Sequence, residues 1–294
     1  MENKQLSFFG DMAANLAETL AKPVNVASVP QRSPFRYPGG KTWLVPTVRK
    51  WLRQGDNKAG LLIEPFAGGG IVALTAAFED LADKIIMSEI DPEIAAVWEV
   101  ILKGDNDSLA DRVYRFELDY ENVRRELELE SSELGQRAFC TILKNRVLHG
   151  GIIAKGAGFI KTGENGRGIR SRWYPKTLRD RILSIKNVRH KIDFFEMDAF
   201  ELVEQYVGQK NAFFFIDPPY TVAGKRLYTH FDIDHEKLFA LTSRIAGRFM
   251  LTYDDTAEIR ALADKYSLKY KTIPMKTTHH LQKNEIIVSD NLDW

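Results

Sequence analysis

The most constraining feature of the sequence is a strand, a glycine-rich turn, a helix and a second strand near its start. Apolar residues 61–63 predict a short strand, 71–78 a helix and 84–88 another strand. Asp91 and Pro92 then predict the N-cap and the first position of the next helix. Strands that alternate with helices in this way form parallel sheets, so we expect an α/β fold.

The α/β pattern is interrupted once. Residues 109–145 have mostly helical periodicity, and 149–172 contain seven glycines among basic residues, which is typical of a loop or ribbon. The alternation resumes at 192–195, so we expect a mainly helical domain inserted into the sheet domain. The predicted boundaries are 1–33 for an N-terminal leader, 34–103 together with 191–294 for the sheet domain, and 104–190 for the inserted domain.

Charge is distributed unevenly along the 294 residues. The formal net charge is only +1, but residues 144–191 carry 13 Lys and Arg against two acids. Such an excess can neutralise phosphates, and arginine suits the guanine edges of the major groove, although any single arginine could simply be solvated. The candidate DNA-binding residues are Asn145 and Arg146 at a helix end, and Arg167, Arg170 and Arg172 among the glycines.

Two turns carry residues suited to ligand binding. The first follows residues 61–63, where glycines allow a ligand to approach the backbone closely. Glu89 comes 21 positions after Gly68, near the end of the second strand. An acid there can accept hydrogen bonds from both hydroxyls of a ribose, but it could equally cap a helix.

The second turn is Asp217-Pro218-Pro219-Tyr220, which follows an apolar strand predicted at 212–216. Two prolines cannot continue a central strand, so the chain turns at the carboxyl edge of the sheet, where α/β proteins bind ligands. The carboxylate and a proline carbonyl can accept both N–H bonds of an exocyclic amine, and the tyrosine can stack on the base. The alternative is an Asx-type turn stiffened by prolines.

Three segments in this order resemble the DNA adenine methyltransferases of the Dam type. They are an aromatic-x-Gly-Gly-Lys motif from Tyr37 to Lys41, the turn from Glu64 to Gly70, and the Asp-Pro-Pro-Tyr motif. Further segments, among them 251–255 and 284–289, also resemble family members, so the resemblance covers about residues 33–291. The Asp-Pro-Pro-Tyr motif alone recurs in unrelated amino-methyltransferases, whereas the ordered set is much more specific.

The resemblance implies a Rossmann-like sheet that binds S-adenosylmethionine as methyl donor. Glu89 stands where many members have Asp, and Tyr37 where some have Trp; the leader has no counterpart that we can place. The implied cofactor-binding residues are Tyr37, Lys41, Glu64, Phe66, Gly68, Gly70, Glu89, Asp198 and Asp217, and the implied catalytic residues are Asp217, Pro218, Pro219 and Tyr220.

The expected reaction is direct transfer of a methyl group to N6 of an adenine flipped out of duplex DNA. Cys140 follows Phe139 rather than a proline, which does not fit the nucleophile of a cytosine-C5 enzyme. The alternatives are an RNA adenine-N6 enzyme, a DNA cytosine-N4 enzyme, and a catalytically silent DNA-binding regulator.

The remaining expectations concern partners and location. Duplex DNA is the expected partner, a cognate restriction enzyme is a further candidate, and a monomer is the default. Apolar runs fall far short of the roughly 20 residues that span a bilayer, so we expect no membrane span. The single cysteine, Cys140, is typical of a cytoplasmic protein, and the resemblance implies a bacterial or phage origin. His279 and His280 are adjacent without an acid at ligand spacing, so we expect no metal site.

Overall fold

The computed structural model describes residues 26–36, 40–53, 58–129, 132–153, 156–220, 232–276 and 282–293. Most of the predicted leader, Tyr37 and the two adjacent histidines lie outside these ranges. Within them, no helix combines the length and the apolar character needed to cross a membrane.

A seven-stranded sheet in the order β3-β2-β1-β4-β5-β7-β6 forms the centre of the fold. Strands β1 to β5 pair in parallel, and β7 runs antiparallel between β5 and β6. The mixed α/β fold predicted from the sequence is therefore confirmed. The strands are β1 (Ala59–Glu64), β2 (Ala82–Glu89), β3 (Ile192–Glu196), β4 (Ala212–Ile216), β5 (Arg248–Asp254), β6 (Lys269–Lys276) and β7 (Gln282–Ser289).

The central strands are apolar on both faces because helices cover both sides of the sheet. In β4, Phe214 and Phe215 are both buried but belong to separate hydrophobic clusters. The same alternation places Ile63 of β1 in one cluster and Leu62 in the other. Successive side chains of a strand point to opposite faces, so the sheet separates two cores.

Helices lie before β1 and between the strands. Asp91 caps the helix after β2 by accepting a hydrogen bond from the Glu93 N–H, as predicted. The α-helices of the described residues are α1 (Val45–Leu52), α2 (Ile71–Phe78), α3 (Pro92–Leu102), α4 (Asn106–Arg115), α5 (Tyr120–Glu128), α6 (Leu134–Val147), α7 (Pro175–Ile185), α8 (Ala199–Tyr206), α9 (His235–Thr242) and α10 (Ala257–Lys265).

The helical segment between β2 and β3 shares a core with one face of the sheet. Phe139 of α6 and Ile182 of α7 are fully buried in the same cluster as Trp98 of α3 and Leu62 of β1. Short 3-10 turns, not regular strands, follow α6 in the glycine-rich stretch. The domain boundary at 104–190 stays a prediction.

The strand order indicates where a ligand-binding site is expected. It reverses between β1 and β4, so the crevice at the carboxyl ends of these two strands is the expected ligand position in an open α/β sheet. Glu64 ends β1 and Asp217 directly follows β4, which sets one carboxylate on each side of that crevice.

A candidate active site at the sheet edge

A cavity of about 1130 Å³ opens at the carboxyl edge of the sheet. Among its lining residues are Glu64 at the end of β1, Glu89 at the end of β2 and Asp217 after β4. The parallel topology therefore brings together acids that are far apart in sequence, and we call this space the sheet-edge cavity.

The glycine turn between β1 and α2 forms part of the cavity wall. The Gly68 N–H donates to Glu89 Oε2 at 2.9 Å, and Trp98 Nε1 donates to the Gly68 carbonyl at 2.9 Å. Gly70 has φ +61°, and a Cβ there would lie 2.8 Å from the Trp98 ring and 2.9 Å from the Met87 methyl carbon. Only glycine fits this position without strain, so the turn holds bare backbone against the cavity.

Glu89 braces the turn as well as facing the cavity. Its Oε1 accepts hydrogen bonds from the Ile90 and Asp91 N–H groups at 2.9 and 3.0 Å. Burial raises the pKa of Glu89 to about 7, although these backbone donors act in the opposite direction. Ribose binding by Glu89 stays a prediction. Its backbone contacts lie before the helix, which is capped by Asp91 rather than by Glu89.

Glu64 is a buried carboxyl at the start of α2. It accepts a hydrogen bond from the Ala73 N–H at 2.7 Å, which satisfies one of the open donors of the first helical turn. Burial raises the pKa of Glu64 to about 8, and the nearby charge of Asp217 adds to the shift. The carboxyl group of Glu64, beside the cavity, therefore keeps its proton to a higher pH than an exposed glutamate does.

Asp217 is fixed by two donors. Lys41 Nζ lies 2.9 Å from its Oδ1, and Thr252 Oγ1 of β5 donates to the same oxygen at 2.7 Å. Lys41 is itself only 2% exposed. This arrangement orients the carboxylate at the lip of the cavity rather than leaving it free to rotate.

Glu285 of β7 joins this network from the antiparallel strand. Tyr220 O–H donates to Glu285 Oε2 at 3.0 Å, and Lys41 Nζ lies 3.9 Å from the same oxygen. Burial raises the pKa of Glu285, while the Lys41 ammonium opposes the shift. For Lys41, burial acts to lower the pKa, but the carboxylates of Asp217 and Glu285 outweigh it and the pKa is raised.

Tyr220 is anchored away from the cavity. Its ring lies under Lys41 Nζ, 4.8 Å from the ring centroid, and 5.7 Å from the ring of Tyr253. Asp217 and Pro219 line the cavity, whereas Pro218 and Tyr220 are not among its lining residues. Stacking of Tyr220 on a base stays a prediction and would require the ring to leave Lys41.

Two further predicted cofactor residues also line the cavity. Asp198 caps α8 by accepting a hydrogen bond from the Phe200 N–H at 2.8 Å. Phe66 packs against the second hydrophobic cluster with part of its side chain facing the cavity.

The predicted DNA-binding residues divide into three groups. Asn145 is fully buried: its Oδ1 accepts from the Arg36 N–H, and its Nδ2 donates to the Arg36 and Gly151 carbonyls. Arg146 and Arg172 line the cavity, Arg146 being 3% exposed. Arg167 and Arg170 are exposed outside it. The structure therefore does not bring Asn145 to the surface but uses it to position the segment that precedes Tyr37.

Sequence reasoning assigned no site role to Thr252, Glu285, Arg36 or Arg181. Thr252 and Glu285 lie within segments that carried the resemblance, at 251–255 and 284–289, which was the available signal. Arg181 carried no signal beyond the basic excess at 144–191, and Arg36 carried only its position directly before the Tyr37–Lys41 motif. In the described ranges, no group of three His, Cys, Asp or Glu could hold a metal ion, and the expectation of no metal site stays a prediction.

An open sheet with a glycine turn after β1, an acid ending β2 and Asp-Pro-Pro-Tyr after β4 defines a Rossmann-like methyltransferase. The chain belongs to the D12 class N6 adenine-specific DNA methyltransferase family, whose family model matches residues 37–277. The predicted resemblance is confirmed. The protein is a methyltransferase with S-adenosylmethionine as its methyl donor, and its family acts on DNA.

A curated relative is the Type II methyltransferase M.MjaIII of Methanocaldococcus jannaschii, 24% identical over 262 residues that cover 81% of this chain and 86% of the relative. Two solved structures overlap weakly. The putative RNA methyltransferase PH1948 of Pyrococcus horikoshii has 12% identity and a TM-score of 0.38, covering 94% of this chain and 96% of its own. The rRNA methyltransferase aviRa of Streptomyces viridochromogenes has 11% identity and a TM-score of 0.39, covering 91% and 93%. Overlaps this low carry no argument about substrate.

Proposed function

We propose that this methyltransferase transfers a methyl group to N6 of an adenine that has rotated out of duplex DNA into the sheet-edge cavity. Family membership supports the reaction and the base. The observation that carries the assignment of the reacting group is the fixed carboxylate of Asp217, held by Lys41 and Thr252 at the cavity lip.

The cavity residues fit S-adenosylmethionine. Gly68 and Gly70 line the cavity and carry no side chain that would extend into it, so a ligand can lie close to the backbone there. Glu89 and Asp198 supply acceptors of the kind that ribose and an adenine amine require. When bound, the cofactor supplies an electrophilic methyl group on a positively charged sulfur, and the fixed carboxylate of Asp217 suits that charge.

Asp217 has the central role in this proposal. Lys41 and Thr252 both bind Oδ1, so we assign Oδ2 to the N–H of the exocyclic amine. An aromatic amine is a poor nucleophile because its lone pair is delocalised, and fixing its N–H groups directs the lone pair at the methyl carbon. The amine gains positive charge as the new N–C bond forms, and the adjacent carboxylate stabilises that charge.

The proton that N6 loses passes to the Asp217 carboxylate in this scheme. Lys41 keeps Asp217 in position and is held in turn by Glu285, which makes Lys41 and Glu285 positioning residues. Lys41 also lines the cavity, so the cofactor contact that the resemblance implies stays part of the proposal.

Base flipping is part of the proposal because the N6 amine of a paired adenine is inside the stack. A volume of about 1130 Å³ exceeds the roughly 300–1,000 Å³ of ordinary small-molecule sites, which supports simultaneous binding of a cofactor and a base. The Type II relative further supports a cognate restriction enzyme as a candidate partner in the cell.

The test is transfer of labelled methyl groups from S-adenosylmethionine to unmethylated duplex DNA, with the product nucleosides separated. We expect label in N6-methyladenine. Label in N4-methylcytosine would overturn the base, label in structured RNA alone would overturn the substrate, and cofactor binding without any transfer would favour the silent regulator. Fluorescence of 2-aminopurine at the mapped target should rise on binding; an unchanged signal would contradict base flipping.

A further inference from the structure

The sheet-edge cavity contains a second charged group that the proposed chemistry does not use. It consists of Arg36, Arg146, Arg172 and Arg181, all of which line the cavity. They come from separate parts of the chain: residues 26–36, α6, a 3-10 turn and α7. We call them the arginine group, and their convergence on one space requires an explanation.

Arg146 gives the clearest sign of an incomplete site. It is 3% exposed, its Nη2 donates to the Pro34 carbonyl, and its buried Nε has no partner in the described part of the chain. Burial lowers the pKa of Arg146 to about 9, and the charges of Arg181, Arg36 and Arg172 add to the shift. A buried cation surrounded by cations is costly unless an anion compensates it.

Helix α7 adds to the same side of the cavity. Tyr174, Thr177, Leu178 and Arg181 all line it, and their spacing of three and four residues places them on one helix face. The helix begins at Pro175 with no side-chain cap among the described residues and no acid in its first turn. Its N-terminal N–H groups and the positive end of its dipole therefore favour an anion nearby.

The acids of the cavity interact mainly with one another and with Lys41. The charges that act on Glu64, Glu89 and Glu285 come from Asp217, Asp91, Asp254 and Lys41. Those that act on Arg146 come from arginines. The fixed carboxylate of Asp217 suits the positively charged sulfur of the cofactor, whereas the arginine group suits an anion, and the DNA substrate brings one in each phosphate.

We propose that the arginine group binds a phosphate of the DNA strand that carries the target adenine, and so anchors the nucleotide whose base enters the cavity. This inference rests on the proposed function. Guanidinium groups match phosphate oxygens through paired N–H donors, and several converging arginines give position as well as charge.

The proposal has a consequence for the free protein. Without an anion, each arginine repels Arg146, so removal of one charge should relieve the group. Arg181→Gln should therefore unfold at the same temperature as the wild type or higher. A purely structural arginine would give the opposite result, because its loss would lower the melting temperature.

The first experiment uses inorganic phosphate as probe and thermal unfolding as readout. We expect phosphate to raise the melting temperature of the wild type more than chloride at equal ionic strength, and to raise that of Arg181→Gln less. Arg179→Gln is the matched control, since Arg179 lies on the same helix, pairs with Asp111 and is not among the cavity-lining residues. An equal gain in all three proteins would overturn the proposal.

The second experiment measures DNA binding. Arg181→Gln, or Arg36→Gln at an exposed position, should weaken binding at least about tenfold and reduce the salt slope by about 1. A duplex with one neutral methylphosphonate beside the target adenine should bind wild type and variant equally. Weaker cofactor binding with unchanged DNA binding would assign the arginines to the cofactor and overturn the proposal. If the phosphate results hold but no N6-methyladenine forms, the proposed function fails and the anion site stands.

Discussion

The acidic residues and the arginine group line the same cavity, but the protein provides hydrogen-bond partners more fully for the acids than for Arg146. Asp217 is fixed by Lys41 and Thr252, and Glu64 and Glu89 accept hydrogen bonds from backbone N–H groups. The buried Nε of Arg146, by contrast, has no partner in the described ranges. The difference indicates that the side proposed for chemistry is organised before binding, whereas the side proposed for DNA is completed by the ligand.

The largest expected effect is on the acidic side. Asp217→Ala should lower turnover by about 10²- to 10⁴-fold, because the amine loses the group that orients it and takes its proton. Cofactor and DNA affinity should change little, since both retain their other contacts. Single-turnover methylation with parallel binding titrations measures this.

The control for Asp217→Ala is Asp180→Ala, which removes an exposed carboxylate of α7 that forms an ion pair with Lys176. Its turnover should match the wild type. Undiminished methylation by Asp217→Ala would show that Asp217 is not a catalytic residue. It would also contradict the view that the acidic side of the cavity is organised for chemistry.

Gly70→Ala should damage the preformed wall of the cavity. A Cβ at φ +61° would lie 2.8 Å from the Trp98 ring, so we expect a loss of about 1–3 kcal/mol in the free energy of unfolding and weaker cofactor binding. Urea unfolding and calorimetry measure the two effects. Gly208→Ala, with no atom within 4 Å of its Cβ, is the control; equal behaviour of both variants would contradict the tight turn.

Glu285→Gln tests the link between Lys41 and Asp217. Removal of the Glu285 charge should lower the pKa of Lys41, which the two carboxylates together hold above its ordinary value. The ammonium would then be lost at lower pH, so the alkaline limb of the kcat profile should move to lower pH. We expect about a tenfold loss at neutral pH. Glu201→Gln, on the exposed surface of α8, should leave the kcat profile unchanged. If the alkaline limb of the Glu285→Gln profile does not move, Glu285 has only a packing role.

The last prediction concerns stability and pH. Folding raises the pKa of Glu64 to about 8, so the folded state binds a proton that the unfolded state has released, and stability falls as pH rises from about 4.5 to 8. Glu64→Gln should flatten this fall and gain most at pH 8. Denaturant midpoints at pH 5.5 and 8 measure it; parallel curves for variant and wild type would contradict a protonated Glu64.

The sequence predicts the parallel part of the sheet well, because its strands are apolar runs and its helices begin at recognisable caps. It gave no prediction for α1, α9, α10 or β6. Strand β6 carries Lys269, Lys271 and Lys276 and contains Pro274, features of an edge strand rather than a central one.

The acids at strand ends were also predictable, since parallel strands end at one edge of a sheet. Thr252 and Glu285 were not given roles, because only the folded sheet brings β5 and β7 to Asp217. Glu285 is a special case: β7 is antiparallel, so residues near its start, opposite Asp254, reach the edge where the other strands end. Asn145 was predicted to bind DNA, because nothing in the sequence shows that its side-chain amide donates hydrogen bonds to the carbonyls of Arg36 and Gly151.

The position of β7 between β5 and β6 has a consequence for synthesis. The ribosome releases β6 first, yet the neighbour of β5 in the finished sheet is β7. Lys41, made near the beginning, receives the carboxylate of Glu285 only after β7 has paired with β5. A partly synthesised chain therefore lacks a complete site, and methylating activity should appear only when the last strand of the sheet has emerged.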